Sequence, residues 1–453
     1  MNFFVFMAEA FAEGAVIMPN IVFASLFFNH FGEYQYIMPF VLLYAFEKAG
    51  TFAIQGFGRI NNPYKILKIA ILIAVLGSYI TLFSYINPIF WSIGASLIGI
   101  GLSVYIPFYK TVTDDLKNKN MWKYKNSSLK GYLYLALFMI VSIAFRKINI
   151  RYIFLLFAIS LSFSAYFIFK LDISDNFRKN KMFIPHGLAF RYFLPTISIF
   201  ILTFFTVALK QTSNLSYITY MLIAFCLLIL TDFFYKKGKY KTQSIQSIWY
   251  GATRNFFTIY SLIYFTAIGK YSRVSLSYFM IALALLIAMF ISPILKKKLS
   301  KSDFELVCIL STMISSVIVL LPNTYMAGVL LSCIFIAMGN SLALTSYLND
   351  EDFVVYERRL VKARFYSLGS VLQQVFLLSV LLIVSKIFYS NFEFIISSYV
   401  FSSGNLSLEH VFLITRLICV IAIWISGFYI LCKTFPKKIK NFQKYVIEKI
   451  EKK

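Results

Sequence analysis

Apolar stretches of about 20 residues recur along nearly the whole chain, and most of its positive charge lies in the short gaps between them. An α-helix needs about 20 residues to cross the roughly 30 Å hydrocarbon core of a bilayer. Backbone polar groups in lipid must be hydrogen-bonded internally, so each stretch is predicted to be a membrane-spanning helix. The predicted fold class is therefore all-α, a polytopic membrane protein. Little chain remains for a water-facing domain, and the function is expected to lie among the helices.

Composition and charge placement exclude other classes. The chain is 59% hydrophobic and 14% charged, whereas soluble domains carry about 25% charged residues. The net charge of +25 is not read as nucleic-acid binding, because lysine and arginine collect in alternate gaps, as they do in cytoplasmic loops. No nucleic-acid partner is predicted. The N-terminus is not predicted to be a cleavable signal, since Glu9 and Glu13 interrupt its apolar run.

Fourteen spans are predicted from length and hydropathy. They cover residues 3–29, 35–57, 66–86, 88–108, 131–148, 150–170, 191–210, 215–235, 247–268, 274–295, 304–322, 325–347, 365–388 and 409–432. Lys110 is assigned to the basic gap after the fourth span, and Arg359 to the gap after the twelfth. An even number of spans with this charge bias places both termini in the cytoplasm. The bias toward Lys, Ile, Asn and Phe indicates an AT-rich bacterial genome, which predicts location in the cell membrane.

The spans before residue 170 and after residue 244 are spaced alike, with an offset of about 238 residues. Gly101 precedes Asp114 at the same separation as Gly339 precedes Asp352. A duplicated parallel half predicts this layout. The predicted domains are a six-helix bundle at 1–170, a connection with two extra spans at 171–243, a second six-helix bundle at 244–433 and a basic tail at 434–453. The apolar residues of the tail recur at helical spacing, which predicts a helix on the inner leaflet or, alternatively, a solvated end.

This layout resembles the major facilitator superfamily of transporters over almost the whole chain. The loop between the second and third spans keeps the glycines and basic residues of the family signature at Gly58, Arg59 and Lys65, whereas Asn61-Asn62-Pro63 replaces its acidic residue. The resemblance implies a secondary active transporter that alternates access between two bundles, with this loop taking part in the conformational change. The two extra spans look like the central pair of fourteen-span branches and are predicted only to tie the bundles together. The antiporter signature is missing from the fifth span, which favours symport.

Ionisable residues inside predicted spans are scarce, and burying one costs several kcal/mol, so each is expected to face a cavity or a partner. Glu9 and Glu13 are four residues apart and share a helix face. Two such close carboxylates cannot both ionise cheaply, so one is expected to hold a proton near neutral pH. The pair is therefore the predicted proton-coupling site, and the resemblance implies that the first span lines the central cavity. The alternative is that both are simply hydrated near the cytoplasmic surface.

Candidate solute contacts lie in other spans. Arg254 is predicted to pair with Glu13 or to hold an anionic group of the solute, or else to reach the cytoplasmic surface. Glu47 is predicted to point away from its neighbour Lys48. Arg416 is expected to form a structural ion pair. The remaining predicted contacts are uncharged amides, namely Gln55, Asn255, Gln373 and Gln374.

No nucleotide-binding loop, zinc signature or nucleophile elbow occurs, so the chain is predicted not to be an enzyme and to need no cofactor or metal. The five cysteines are read as small buried residues. The predicted partners are a small polar or charged solute, protons and the lipid bilayer, and the protein is expected to act as a monomer. Two alternatives stay open: a flippase for a lipid-linked saccharide, which a basic cavity would suit, and a non-transporting membrane scaffold.

Overall fold

The computed structural model describes residues 2–14, 18–20, 22–23, 26, 30, 33–145, 149–173, 175–185, 190, 193–236, 242–400, 404 and 408–436. Nearly all regular structure in these ranges is helical, with one two-stranded sheet. The all-α prediction is therefore confirmed, and the protein is a polytopic membrane protein. The predicted tail helix lies outside the described residues beyond position 436.

The chain divides into two compact units. Unit 1 comprises Met1–Lys237 and Asp350–Arg364, and unit 2 comprises Gly238–Asn349 and Phe365–Lys453. The predicted connection between the bundles thus belongs to unit 1 up to Lys237. A short segment from the second half of the sequence, Asp350–Arg364, is also part of unit 1.

The elements of unit 1 are as follows: α1 Asn2–Glu13, α2 Tyr34–Gly56, β1 Arg59–Ile60, α3 Pro63–Ile80, α4 Ile89–Asn118, α5 Ser127–Phe145, α6 Ile150–Phe169, α7 Asp175–Lys179, β2 Phe183–Ile184, α8 Leu194–Thr212 and α9 Tyr217–Lys236. The elements of unit 2 are α10 Thr242–Ala267, α11 Tyr271–Lys298, α12 Lys301–Ile318, α13 Tyr325–Leu348, α14 Arg358–Tyr389, whose first residues belong to unit 1, α15 Phe394–Val400 and α16 Glu409–Thr434.

Within the described residues, eight helices are long and apolar enough to cross a membrane, and two shorter apolar helices lie in α8 and α9. The helix α10 has 26 residues but is not among the eight. Its sequence is rich in serine, threonine, asparagine and glutamine, and most of its side chains are buried in unit 2. Such a helix is enclosed by protein instead of lipid, because polar side chains are costly to expose to hydrocarbon.

Unit 1 is held together by close helix contacts. In α4, Gly94 packs against Thr81 and the carbonyl of Gly77, and Gly101 packs against the backbone at Ala70 and Ala74 of α3. Small residues at a helix contact allow backbones to approach, which is a main source of association within membranes. The helix α8 packs on α2 and on α9. The two extra helices are therefore integral parts of unit 1.

The fourth predicted span ends too early. The sequence places its end at residue 108, but α4 continues to Asn118. The polar residues after Phe108 lower the local hydropathy, yet Thr111 and Thr113 are buried in unit 1 and Thr111 donates a hydrogen bond to the Pro107 carbonyl, 2.8 Å away. As a result, Lys110 lies in a helix and not in a loop.

Candidate functional site

The two acidic residues predicted to couple protons meet a lysine in the interior of unit 1. Glu9 is fully buried, and the side chain of Glu13 is 16% exposed. The Nζ atom of Lys110 lies 2.8 Å from Oε2 of Glu9 and also donates a hydrogen bond to Glu13. The lysine thus bridges two carboxylates that stand one turn apart on α1. We call Glu9, Glu13 and Lys110 the carboxylate–lysine cluster.

Two hydroxyl groups of α5 complete the cluster. Ser127 donates a hydrogen bond to Oε1 of Glu9 over 3.0 Å, and the Tyr132 hydroxyl donates one to Oε2 of Glu13. A side chain at Gly131 would collide with Glu9, because an added Cβ would lie 2.6 Å from the Cβ of that residue. Glycine at this position therefore lets α5 approach α1 closely enough for both hydroxyls to reach the carboxylates.

The charges of the cluster do not balance. Two carboxylates and one ammonium group leave one net negative charge when all three are ionised. Two further tyrosines border the site: the Tyr105 hydroxyl donates to the Ala8 carbonyl at 2.9 Å, and Tyr109 is fully buried. An uncompensated charge is expensive in such a place, so uptake of one proton or one cation would stabilise it.

A second charged group lies between α2 and the N-terminal segment. Lys48 donates a hydrogen bond to Oε1 of Glu47 at 2.9 Å, and Nδ2 of Asn20 lies 3.4 Å from the other carboxylate oxygen. The ammonium group also stands 4.8 Å from the ring centre of Tyr44. The sequence-based expectation that Glu47 and Lys48 point apart is wrong, because the long lysine stem can turn back along the helix surface to its neighbour.

The loop between the second and third predicted spans is held by the connection that follows α6. In β1, Arg59 pairs with Ile184 and Ile60 with Phe183, antiparallel. Nδ2 of Asn62 donates to the carbonyl of Phe177 at 2.6 Å, and the Lys65 ammonium donates to the carbonyl of Asn180 at 2.9 Å. The Asn62 side chain also caps α3, accepting from the Lys65 amide over 3.1 Å. The asparagine that interrupts the family-like signature therefore has a positioning role.

The segment Asp350–Arg364 contacts the same end of unit 1. Glu357 accepts a hydrogen bond from the Ile60 amide at 2.8 Å, and Arg359 forms an ion pair with Asp114. Arg364 donates to the Oε1 atom of Gln55. Gln55, a predicted solute contact, is thus bonded to an arginine of this segment. These partners could not be predicted from the sequence, since pairs separated by more than 240 residues leave no local signal.

Gly58 allows this loop to form, and its replacement is a direct test. Its backbone has φ +110°, which disfavours residues with a side chain, and an added Cβ would collide with the carbonyl oxygen of Ile184. We expect Gly58→Ala to lower the free energy of unfolding by about 1–3 kcal/mol, measured as a lower melting temperature of the purified protein. Arg59→Ala, which truncates an exposed neighbour, should change it by less than about 0.5 kcal/mol. Equal shifts for both variants would contradict this account.

In unit 2, the predicted contacts Arg254 and Asn255 face α14. Nη1 of Arg254 lies 3.4 Å from the Tyr366 hydroxyl, and Nδ2 of Asn255 donates to the Ser370 carbonyl at 2.8 Å. Gln373 is half-buried on the same helix. The structure therefore brings Arg254 and Asn255 to one helix contact within unit 2. The pairing of Arg254 with Glu13 remains a prediction.

Arg416 does not form the expected ion pair with any described residue. It is 1% exposed, and its Nη2 atom donates to the Leu320 carbonyl at 2.8 Å. The guanidinium carbon lies 5.3 Å from the ring centre of Tyr325, 5.7 Å from that of Tyr264 and 6.0 Å from that of Tyr260. The guanidinium group therefore faces aromatic rings and a carbonyl near the end of α12, both of which attract cations. Its Nε and Nη1 atoms have no hydrogen-bond partner among the described residues.

The described residues contain no group of three or more His, Cys, Asp or Glu side chains that could hold a metal ion. Three of the five cysteines are buried, Cys432 is partly exposed and Cys226 is exposed. The expectation of small buried residues thus holds for Cys308, Cys333 and Cys419.

Several solved transporter structures share the fold of this chain. The POT family transporter PepTSo matches with a TM-score of 0.55 and 12% identity, covering 95% of this chain and 98% of that one. A proton dependent oligopeptide (POT) family transporter matches with a TM-score of 0.52 and 12% identity, covering 93% of this chain and 99% of that one. A mutant of the nucleoside transporter NupG matches with a TM-score of 0.50 and 11% identity, covering 93% of this chain and 98% of that one. No protein-family model and no curated protein sequence matches the chain. At these identities the likeness concerns the fold.

Proposed function

We propose that this protein is a secondary active transporter that moves a small polar or charged solute through the cell membrane by alternating access, coupled to protons. The observation that carries the proposal is the carboxylate–lysine cluster, in which one buried and one partly exposed carboxylate share one ammonium group. Solved structures with this fold include nucleoside and proton dependent oligopeptide transporters, which supports the transport class. As a major-facilitator-like chain it would have both termini in the cytoplasm and act as a monomer.

Glu13 is the group that exchanges the proton in this proposal. Glu9 is fully buried, whereas the Glu13 side chain retains 16% exposure, so Glu13 is the carboxylate of the pair that a proton can enter or leave. A proton on Glu13 neutralises the cluster and weakens one of the two ion pairs of Lys110. The lysine then remains attached to Glu9 alone. Because Lys110 joins α1 to α4, the contact between these helices depends on the protonation of Glu13, which is the coupling that a symporter requires.

The solute site is proposed at the remaining predicted contacts. Arg254 and Asn255 offer a guanidinium fork and an amide near the middle of α10, with Gln373 on α14. Glu47 is paired with Lys48 and lies on α2. The loop with Gly58, Arg59 and Lys65, held by Asn180 and Glu357, would have to change its contacts as access alternates.

Transport by the purified protein in liposomes tests the proposal. Solute pools of sugars, amino acids, peptides and nucleosides would be supplied with an inward proton gradient of one pH unit. One coupled proton per solute supports about tenfold accumulation at that gradient. We expect wild type to accumulate one class and Glu13→Gln to reach only the outside concentration, because an amide cannot take up the proton. Exchange of solute without a gradient should persist in the variant.

Glu351→Gln is the matched control, since Glu351 is exposed and outside the cluster. It should accumulate solute like wild type. Full accumulation by Glu13→Gln would contradict proton coupling at this residue. Failure of wild type to move any solute would contradict the transporter proposal and would favour the lipid-linked saccharide flippase or the membrane scaffold.

A further inference from the structure

One buried side-chain amide in unit 2, that of Gln374, forms no hydrogen bond with any described residue. Gln374 on α14 is 2% exposed, and neither its Nε2 nor its Oε1 atom has a hydrogen-bond partner among the described residues. Buried polar groups are almost always bonded, and a buried amide without partners destabilises the folded state. An amide with both a free donor and a free acceptor in this position therefore needs an explanation.

Gln374 lies on the contact between α10 and α14. An added Cβ at Gly251 would collide with the Tyr366 carbonyl, and one at Gly369 with the Ile248 carbonyl, so the two backbones nearly touch there. The Ser370 hydroxyl donates to the Gly251 carbonyl at 3.2 Å. Residues four apart share a helix face, so Gln374 continues the face of Ser370 by one turn.

The polar groups beside Gln374 are already engaged. Asn255 uses its Nδ2 atom on the Ser370 carbonyl, and Arg254 contacts the Tyr366 hydroxyl. Neither satisfies the amide of Gln374. The position is close to the middle of α14, which spans Arg358–Tyr389, and thus falls at the depth where transporters of this kind bind solutes. The free donor and acceptor stand next to the residues that we propose as the solute site.

We propose that Gln374 determines specificity by binding an amide-type edge of the solute, that is, an N–H and a C=O side by side, as in a peptide group, a carboxamide or a nucleobase. A primary amide presents one donor and one acceptor in a plane, so it pairs with such an edge through two hydrogen bonds. Sugars and simple ions lack this edge. Because Gln374 is enclosed in this structure, contact with solute belongs to another state of the transport cycle. The inference rests on the proposed solute transport and adds the class of solute.

Ligand-free stability gives the first readout. Gln374→Met has nearly the same volume and removes both unbonded polar atoms. We expect its melting temperature without solute to rise by about 2 °C or more, because the desolvation cost disappears. A structural role in an internal hydrogen bond predicts the opposite, and a lower melting temperature would overturn the proposal.

Binding to the detergent-purified protein gives the second readout. The probes are uridine and alanyl-alanine, each beside an analogue in which the N–H of the amide-type edge is methylated. Wild type should prefer at least one parent over its methylated analogue by about tenfold or more, the loss expected when a buried polar group is left unpaired. Gln374→Met should reduce this preference to less than about threefold. Gln35→Met, at an exposed glutamine, should leave it unchanged.

Unchanged preference in Gln374→Met would overturn the proposal, as would the absence of binding by every probe. Both readouts are independent of a proton gradient. If Glu13→Gln still accumulates solute while Gln374→Met loses its preference, proton coupling at Glu13 is wrong and the role of Gln374 stands. The converse result would leave the coupling in place and remove the specificity residue.

Discussion

Replacing Lys110 with methionine is expected to lower the free energy of unfolding by about 3–5 kcal/mol, the usual cost of removing one partner from a buried ion pair. The variant leaves Glu9 and Glu13 facing each other with no counter-charge, and Glu9 has no access to water. The two hydroxyl groups that remain, those of Ser127 and Tyr132, cannot neutralise two carboxylates. Thermal unfolding of the purified protein measures the loss.

Rescue distinguishes charge balance from packing. Adding Glu9→Gln and Glu13→Gln to the Lys110→Met variant removes all three charges while keeping similar shapes. We expect this triple variant to recover most of the lost stability, because buried ion networks can be replaced by neutral groups at little cost. Lys130→Met, at an exposed lysine next to Phe6, should have little effect. A triple variant as unstable as Lys110→Met would show that the lysine acts through packing instead.

Replacing Arg416 with alanine is expected to lower the free energy of unfolding by about 3 kcal/mol. The variant loses a buried cation–π contact and a charge-assisted hydrogen bond, each worth about 1.5–3 kcal/mol when desolvated. It also leaves a void among the rings of Tyr260, Tyr264 and Tyr325. Thermal unfolding again gives the measurement, and transport should fall only as far as the folded fraction does.

Two variants control this experiment. Arg416→Lys keeps the charge but loses the planar group that stacks on the rings and reaches the Leu320 carbonyl, so it should recover about half of the loss. Lys433→Ala removes a cation 5.8 Å from the ring centre of Tyr429 at an exposed position and should cost less than about 1 kcal/mol. A loss for Lys433→Ala as large as that for Arg416→Ala would contradict the importance of burial.

The acidic half of the carboxylate–lysine cluster could be predicted from the sequence, whereas its lysine could not. Glu9 and Glu13 stand out because carboxylates are rare in apolar spans and because four residues make one helical turn. For their partner Lys110 the sequence predicts a loop, since hydropathy falls at Lys110, Thr111 and Asp114, where a span is expected to end. Hydropathy averages over a window and cannot tell a polar residue facing protein from one facing water. A continuing helical period through this region, carrying α4 to Asn118, was the signal available.

The sequence by itself determined that this protein lies in a lipid bilayer and that its fold is all-α. Apolar stretches of spanning length recur along the chain, and helices are the structure in which such stretches are stable in lipid. It also determined which residues would be unusual, since charges inside apolar helices are few. Only the tertiary structure decided what those residues touch. Lys110 reaches Glu9 across 101 positions, and Glu357 reaches Ile60 across 297. Among the described residues, aromatic rings and not a carboxylate surround Arg416. Such pairings depend on how helices pack, and packing brings together residues that no local pattern relates.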